Sequence, residues 1–206
     1  MSAIAPTRPL VFFPGAGGRV AHLRPIAERL AHRRTTYLCE YPGLGGVAPD
    51  PNLHTMADLQ RHLLAGLPEQ FDLVTMSMGG VLALRIALEH PGRIRKLVLL
   101  ATSGGVNVEA RGGIDWRDTF RRVQPNAPSW FVEDRTDVTP ELGRIAHPTL
   151  LIYGDADLIA PPSVGHFLQK SLPNARIEII PDATHDLEID HPDLIASFIE
   201  AHLRRP

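Results

Sequence analysis

Three short stretches of the chain carry side chains able to do carbonyl chemistry. In LVTMSMGGVLAL (73–84) an apolar run stops at Ser77, and two glycines precede a second apolar run. A serine hydroxyl is a poor nucleophile until a base takes its proton and a carboxylate orients that base. Downstream, YGDADLIAPP (153–162) offers two carboxylates, Asp155 and Asp157, and PDATHDLEIDHPDLI (181–195) offers His185. Serine, aspartate and histidine therefore follow one another in an order that suits acyl transfer. A fourth stretch, FFPGAGG (12–18), is a turn of small residues whose backbone N–H groups can face an oxyanion. The plainer alternative is a serine that merely ends a strand.

These stretches need elements to hold them. Short β-type runs are predicted at Leu10–Phe13, Thr36–Glu40, Leu73–Met76, Leu97–Ala101, Thr149–Tyr153 and Arg176–Ile180. Between them, apolar residues recur at three- and four-residue spacing near 20–32, 55–66, 78–90, 162–171 and 192–204, which predicts helices. The alternation predicts an α/β fold, a mostly parallel sheet of about six strands with helices on both faces. In such a sheet ligands meet the protein beyond the carboxyl ends of the strands, where Ser77 and both downstream loops fall. A helix starting at Met78 aims its free N–H groups at charge forming near Ser77, and the small Gly79 leaves room for the tight turn.

Bulk properties narrow the classes. With 206 residues, 44% hydrophobic, the chain predicts a single domain spanning 1–206. Its 21 Lys+Arg nearly balance 23 Asp+Glu, with no long block of one sign, so neither nucleic acid nor an anionic membrane is an expected partner. Apolar runs such as LVLLA (97–101) are strand-sized, and MSAIAPTRPL has no long apolar segment, so a cytoplasmic protein is expected. Cys39 stands alone, with no internal disulfide to form, and is expected in a buried strand. No Cys/His set has zinc-site spacing; no metal or cofactor is expected.

Together TMSMGG (75–80), EHPGRIRKLVLLAT (89–102), GDADLIAP (154–161) and ATHDLEIDHPDLI (183–195) resemble the α/β-hydrolase superfamily over nearly the whole chain. Thr75 stands where that family usually has glycine, and Pro14 where many relatives have histidine. The resemblance implies a catalytic triad of Ser77, Asp157 and His185, since the spacing of Asp157 to Pro161 matches the family's acid loop better than Asp155 does. It also implies oxyanion donors at the backbone N–H groups of Ala16 and Met78. The activity implied is hydrolysis of a small ester or thioester without cofactor. Rivals are an acyl-carrier thioesterase, suggested by FFPGAGG and YPGLGG (41–46), a carbon–carbon bond hydrolase, and a non-catalytic small-ligand binding protein.

Regular alternation fails once, between Thr102 and His147, and 103–147 is expected to be a cap-like insertion over one sheet edge. Its Trp116, Phe120, Trp130 and Phe131 either line a substrate pocket or form the insertion's own small core. A short Gly- and Pro-rich cap predicts an open, shallow site tolerant of short acyl chains. Arg117, Arg121 and Arg122 are read as a solvated helix face rather than an anion site. His22, His32, His62 and His202 are expected on helix surfaces, and Asp182, Asp186 and Glu188 as solvated loop charge. Asp155 is expected to brace its loop.

Overall fold

The computed structural model describes residues 8–205; the first seven residues, part of the stretch read for a leader, lie outside it. Six parallel strands form one sheet: β1 (Leu10–Phe13), β2 (Thr36–Leu38), β3 (Phe71–Met76), β4 (Ile94–Leu100), β5 (Thr149–Gly154) and β6 (Ala175–Ile180). Their order is β2-β1-β3-β4-β5-β6, every pair parallel. β3, which leads into Ser77, is thus central and fully buried.

Side chains alternate across the sheet, as a period of two demands. Leu10, Phe12, Val74, Met76, Val98 and Leu100 pack beneath α1 (Val20–Leu30) and, at the end of the chain, Pro192–Arg204. Val11, Phe13, Leu73, Leu97 and Leu99 face the other way, toward α2 (Met56–Ala65), α3 (Gly79–Glu89) and Pro162–Ser171. The N-terminus of α2 is capped reciprocally: the Thr55 hydroxyl accepts from Asp58 N–H at 3.1 Å, and the Asp58 carboxylate accepts from His54 N–H at 3.0 Å. Among the described residues no helix is long and apolar enough to cross a membrane.

Several edges depart from the sequence expectation. β3 and β4 begin earlier than the apolar runs because charged residues are built into them. Asp72 is buried and ion-paired to Arg34 at 3.3 Å, and Lys96 is buried with its ammonium donating to the carbonyls of His202 and Leu203 at the end of the last helix. β2 stops at Leu38, so Cys39 follows the strand, half-buried, its N–H still donating to Phe12 O. Burial pushes the Cys39 thiol up to about 12.

The insertion departs through β4 and returns through β5. Those strands are neighbours inside the sheet, so it covers the carboxyl ends of the strands rather than a sheet edge. It contains a 3-10 turn at Glu109–Arg111, α4 (Arg117–Val123), α5 (Ser129–Glu133) and a 3-10 helix at Thr139–Arg144. The remaining helices are α6 (Pro162–Ser171), α7 (Leu187–Asp190) and α8 (Pro192–Arg204). Arg85 of α3 donates to the Thr136 hydroxyl at 3.1 Å, and the Arg111 guanidinium lies over the Phe167 ring of α6 at 3.7 Å, so the insertion is fastened to both helices.

Candidate active site

Ser77 is the first residue beyond β3, and its φ of +48° puts it in the left-handed region. A non-glycine residue there costs of order 1–3 kcal/mol and persists only when its surroundings hold it. Three hydrogen bonds do so: Ser77 N–H donates to Leu100 O at 2.8 Å, and Ser77 O accepts from the Thr102 hydroxyl at 2.6 Å and from Gly80 N–H at 2.9 Å. The glycines after it have a steric cause. A Cβ on Gly79 would stand 2.6 Å from Pro14 O, and one on Gly80 2.3 Å from the Thr102 hydroxyl. Thr75, two residues before the serine, fits without a glycine because its side chain is buried in the sheet.

His185 follows β6, and its ring bridges the other two groups. Nε2 is 3.0 Å from Ser77 Oγ and Nδ1 is 2.8 Å from Asp157 Oδ2. The Asp157 side chain is fully enclosed, and its other oxygen accepts the N–H groups of Ile159 and Ala160 at 2.8 and 3.0 Å. Those two bonds fix the carboxylate and leave Oδ2 for the imidazole. Asp155 points elsewhere: its carboxylate accepts the Asp182 N–H at 2.7 Å and ties the two strand-end loops together.

The N–H groups of Ala16 and Met78 have no acceptor among the described residues. They flank the serine, with Gly15 so near that a Cβ there would lie 3.4 Å from Ser77 Cβ. The second glycine turn, YPGLGG, braces the first one. Gly18 and Gly45 both have positive φ, and a Cβ on Gly45 would meet Gly18 O at 2.3 Å. Behind the turn, the buried Tyr41 hydroxyl donates to Pro14 O at 3.1 Å.

Two cavities of different chemistry meet at Ser77 and His185. One, of about 340 Å³, is polar, with Ser103, Asp115, Arg117, Asp134 and Thr136 in its wall. The other, of about 790 Å³, is mostly apolar, walled by Ile114, Trp116, Phe120, Val123, Leu158 and Ile159. Trp116 lines both, Phe120 the apolar one and Phe131 the polar one. Trp130 lines neither; it packs edge-on against Phe131, 6.0 Å between centroids. Trp116 also packs on Phe120 at 5.1 Å, so the rings serve as the insertion's core while some of them wall a cavity.

Three charge assignments change. Arg117 is no solvated residue: its guanidinium donates to the carbonyls of Val132 and Asp134 and pairs with Asp115 at 3.0 Å, pinning α4 to the end of α5. His202 is buried beneath the sheet, and burial drives its imidazole down to about 4. Glu188 is 4% exposed instead of solvated, since α1 packs over α7, and burial raises its carboxyl to about 7. The roles of Thr102 and Glu188 escaped sequence reasoning. The apolar Leu187 and Ile189 around Glu188 were its only hint. Among the described residues no group of three or more His, Cys, Asp or Glu could hold a metal ion.

The family described as "Alpha/beta hydrolase family" matches residues 10–133, more than half of the chain. A pimeloyl-[acyl-carrier protein] methyl ester esterase of Nitrosomonas europaea is 23% identical, covering 85% of this chain and 88% of that protein. One of the same name from Edwardsiella ictaluri is 28% identical, covering 90% and 89%. Among solved structures, a hydrolase from Pseudomonas aeruginosa PA01 superposes with a TM-score of 0.80 at 21% identity, over 98% of this chain and 91% of that one.

Proposed function

Given that the chain belongs to the alpha/beta hydrolase family and is a hydrolase, we propose that it is a serine esterase acting through an acyl-enzyme on a carboxylic ester or thioester. The observation that carries this reading is the imidazole of His185, held between Ser77 Oγ and Asp157 Oδ2 at 3.0 and 2.8 Å. Ser77 Oγ attacks the carbonyl carbon while His185 Nε2 takes its proton. Asp157 keeps the Nδ1 proton in place and stabilises the imidazolium. The N–H groups of Ala16 and Met78 receive the negative oxygen, and the left-handed turn at Ser77 presents its hydroxyl to the substrate. Collapse of the tetrahedral intermediate transfers the proton from His185 to the leaving group. Water, deprotonated by the same ring, then releases the acid.

The relatives named methyl ester esterases favour an ester of a simple alcohol over a thioester or a carbon–carbon bond. The apolar cavity, at about 790 Å³, supports a longer hydrocarbon part than the length of the insertion predicts. Residues 103–147 act in this proposal as a fixed cap. A cytoplasmic place of action belongs to it too, supported by the lone cysteine, which suits a reducing compartment.

The test is covalent labelling by a fluorophosphonate probe together with turnover of a series of p-nitrophenyl and methyl esters. Labelling is expected in the wild type and lost in Ser77→Ala. The losses in Ser77→Ala and His185→Ala should each reach several orders of magnitude and fail to add in the double variant. Turnover by Ser77→Ala close to wild type would remove the nucleophile. Binding of esters without turnover or labelling would favour a non-catalytic binding protein instead.

A further inference from the structure

The apolar cavity has one discordant patch in its wall. Glu188, His22 and Arg19 line it beside His185, opposite Trp116, Phe120 and Leu158. The Glu188 side chain is 5% exposed; Oε1 is 3.6 Å from His22 Nδ1, and Oε2 is buried with no hydrogen-bond partner. A carboxylate in that setting has His22 as its one ion-pair contact among the described residues and an oxygen without a hydrogen-bond partner. His22 belongs to the first turn of α1, directly after the turn bearing Ala16, while Glu188 follows His185 by one short helical step. The pair therefore forms the wall where the oxyanion turn and the histidine loop meet.

We propose that Glu188 is a specificity-determining residue: the protonation state of its buried carboxyl, beside His22, decides how well the cavity accepts the hydrocarbon part of the substrate. This rests on the esterase reading for what enters the cavity. A neutral carboxyl lets the wall dry when a hydrocarbon chain displaces water. An ionised one resists, because hydrocarbon replaces the water of the cavity beside a charge that its own surroundings barely solvate. By linkage, a chain that favours the neutral form raises the affinity of the carboxyl for its proton, and the neutral form favours the chain by the same factor.

The groups facing Glu188 set the sign. His22 and Arg19 stand on the α1 side, His185 and Asp186 precede it, Asp190 shares its helix, and Asp115 lines the opposite part of the cavity. From α8, Asp193 is turned out to solvent and paired with Arg29. Burial opposes ionisation most and Asp186 and Asp190 add to it; a backbone hydrogen bond and His185 favour ionisation without offsetting burial, so the carboxyl is held at about 7. The cavity should thus accept apolar chains best at mildly acid pH and less well in alkali.

The experiment measures binding, so it stands apart from catalysis. In a Ser77→Ala background, the dissociation constant of 2-undecanone is followed by the fluorescence of Trp116, with Trp130→Phe added to leave one reporter, between about pH 5.5 and about pH 8.5. A further rise of one unit in the Glu188 pKa on binding corresponds to a dissociation constant about tenfold larger at the alkaline end. Glu188→Gln should be flat across the range, and Glu188→Leu flat and tighter than the parent at the alkaline end. His22→Gln should keep the dependence but move it to higher pH, since the nearby cationic candidate is lost. A parent protein with flat binding, or a dependence kept by Glu188→Gln and abolished by His22→Gln, would overturn the proposal. Failure of ester turnover with the pH dependence intact would count against the esterase reading alone.

Discussion

Thr102 is the residue whose loss should show most directly that the serine turn is held under strain. It is fully buried, its hydroxyl donates to Ser77 O at 2.6 Å, and the same oxygen accepts the Gly104 N–H at 3.0 Å. Thr102→Val keeps the shape and removes both bonds, leaving the Gly104 N–H buried without a partner while Ser77 O keeps the Gly80 N–H at 2.9 Å. The orphaned N–H costs about 1–3 kcal/mol. The new methyl also cannot sit where an O–H···O contact of 2.6 Å sat, and the displacement falls on Gly80, which already packs against Thr102 without room for a Cβ. A destabilisation of about 2–5 kcal/mol is expected from these terms. With the Thr102 bond gone, the left-handed backbone at φ +48° loses one of its three hydrogen bonds. A shift of the hydroxyl on the order of 1 Å lowers turnover about a hundredfold. Urea unfolding gives the first quantity; kcat/KM on a p-nitrophenyl ester, measured well below the transition, gives the second. Thr102→Ser, which keeps the hydroxyl, should lose about 1 kcal/mol and little activity. If Thr102→Val stayed within about 0.5 kcal/mol of wild type and within twofold in kcat/KM, the turn would not depend on this side chain and the argument would be wrong.

Asp157→Asn should lower kcat by about four orders of magnitude by selecting the wrong tautomer of His185, while Asp155→Asn, which only ties two loops, should mainly lower the melting temperature; steady-state kinetics beside calorimetry separates them, and the opposite ranking would move the acid to Asp155. Trp116→Ala should change chain-length preference among alkanoate esters because the ring walls both cavities, whereas Trp130→Ala should reduce stability and slow all esters alike. For Glu188 the folded carboxyl titrates near 7 against an ordinary value of 4.5. The folded chain therefore holds a proton that the unfolded chain has released between those values. Its stabilising share is complete below about 4.5, falls as pH rises and is gone above about 7, a swing of roughly 3 kcal/mol. Glu188→Gln should remove that slope in urea titrations at several pH values and exceed wild type in stability above pH 7; an unchanged slope would show that the carboxyl is not the group responsible.

What the sequence reveals and what it hides divides along one physical line. Period-two apolar runs and their order are local facts, so the parallel sheet and its helices were legible at once. The start of β3 was not, because Asp72 breaks the apolar run and its burial depends on cations that folding brings to it, among them Arg95 and the distant, ion-paired Arg34. Ser77, Asp157 and His185 stand out because each ends a strand and their types are chemically demanding. The choice between Asp155 and Asp157 needed a family pattern; the structure brings Asp157 to the imidazole through the two loop N–H bonds that turn its free oxygen inward. Glu188 was hidden for the opposite reason. In HDLEID it reads as one charge among several, and its exposure depends on α1, which packs over it from the other end of the chain. Trp130 and Trp116 looked equivalent by composition, yet only the latter reaches a cavity.

The two cavities also revise what selectivity to expect from so short an insertion. Ile114, Val123 and Leu158 are 55%, 64% and 69% exposed, and all three rim the apolar cavity. A chain threading past such a rim leaves its far end in solvent, so each further methylene gains less than the 1–3 kcal/mol of a closed pocket. Length should be read weakly. Polarity should be read strongly, because Arg117, Asp134 and Thr136 line the smaller cavity and Asp115 borders both, and a hydrocarbon placed against them would displace water from charged groups without replacing it. On the proposed esterase reading, an ester with an apolar side and a small polar side should favour one orientation here. That asymmetry arises from α4, whose apolar Phe120 and Val123 wall one cavity while Arg117 at its start lines the other.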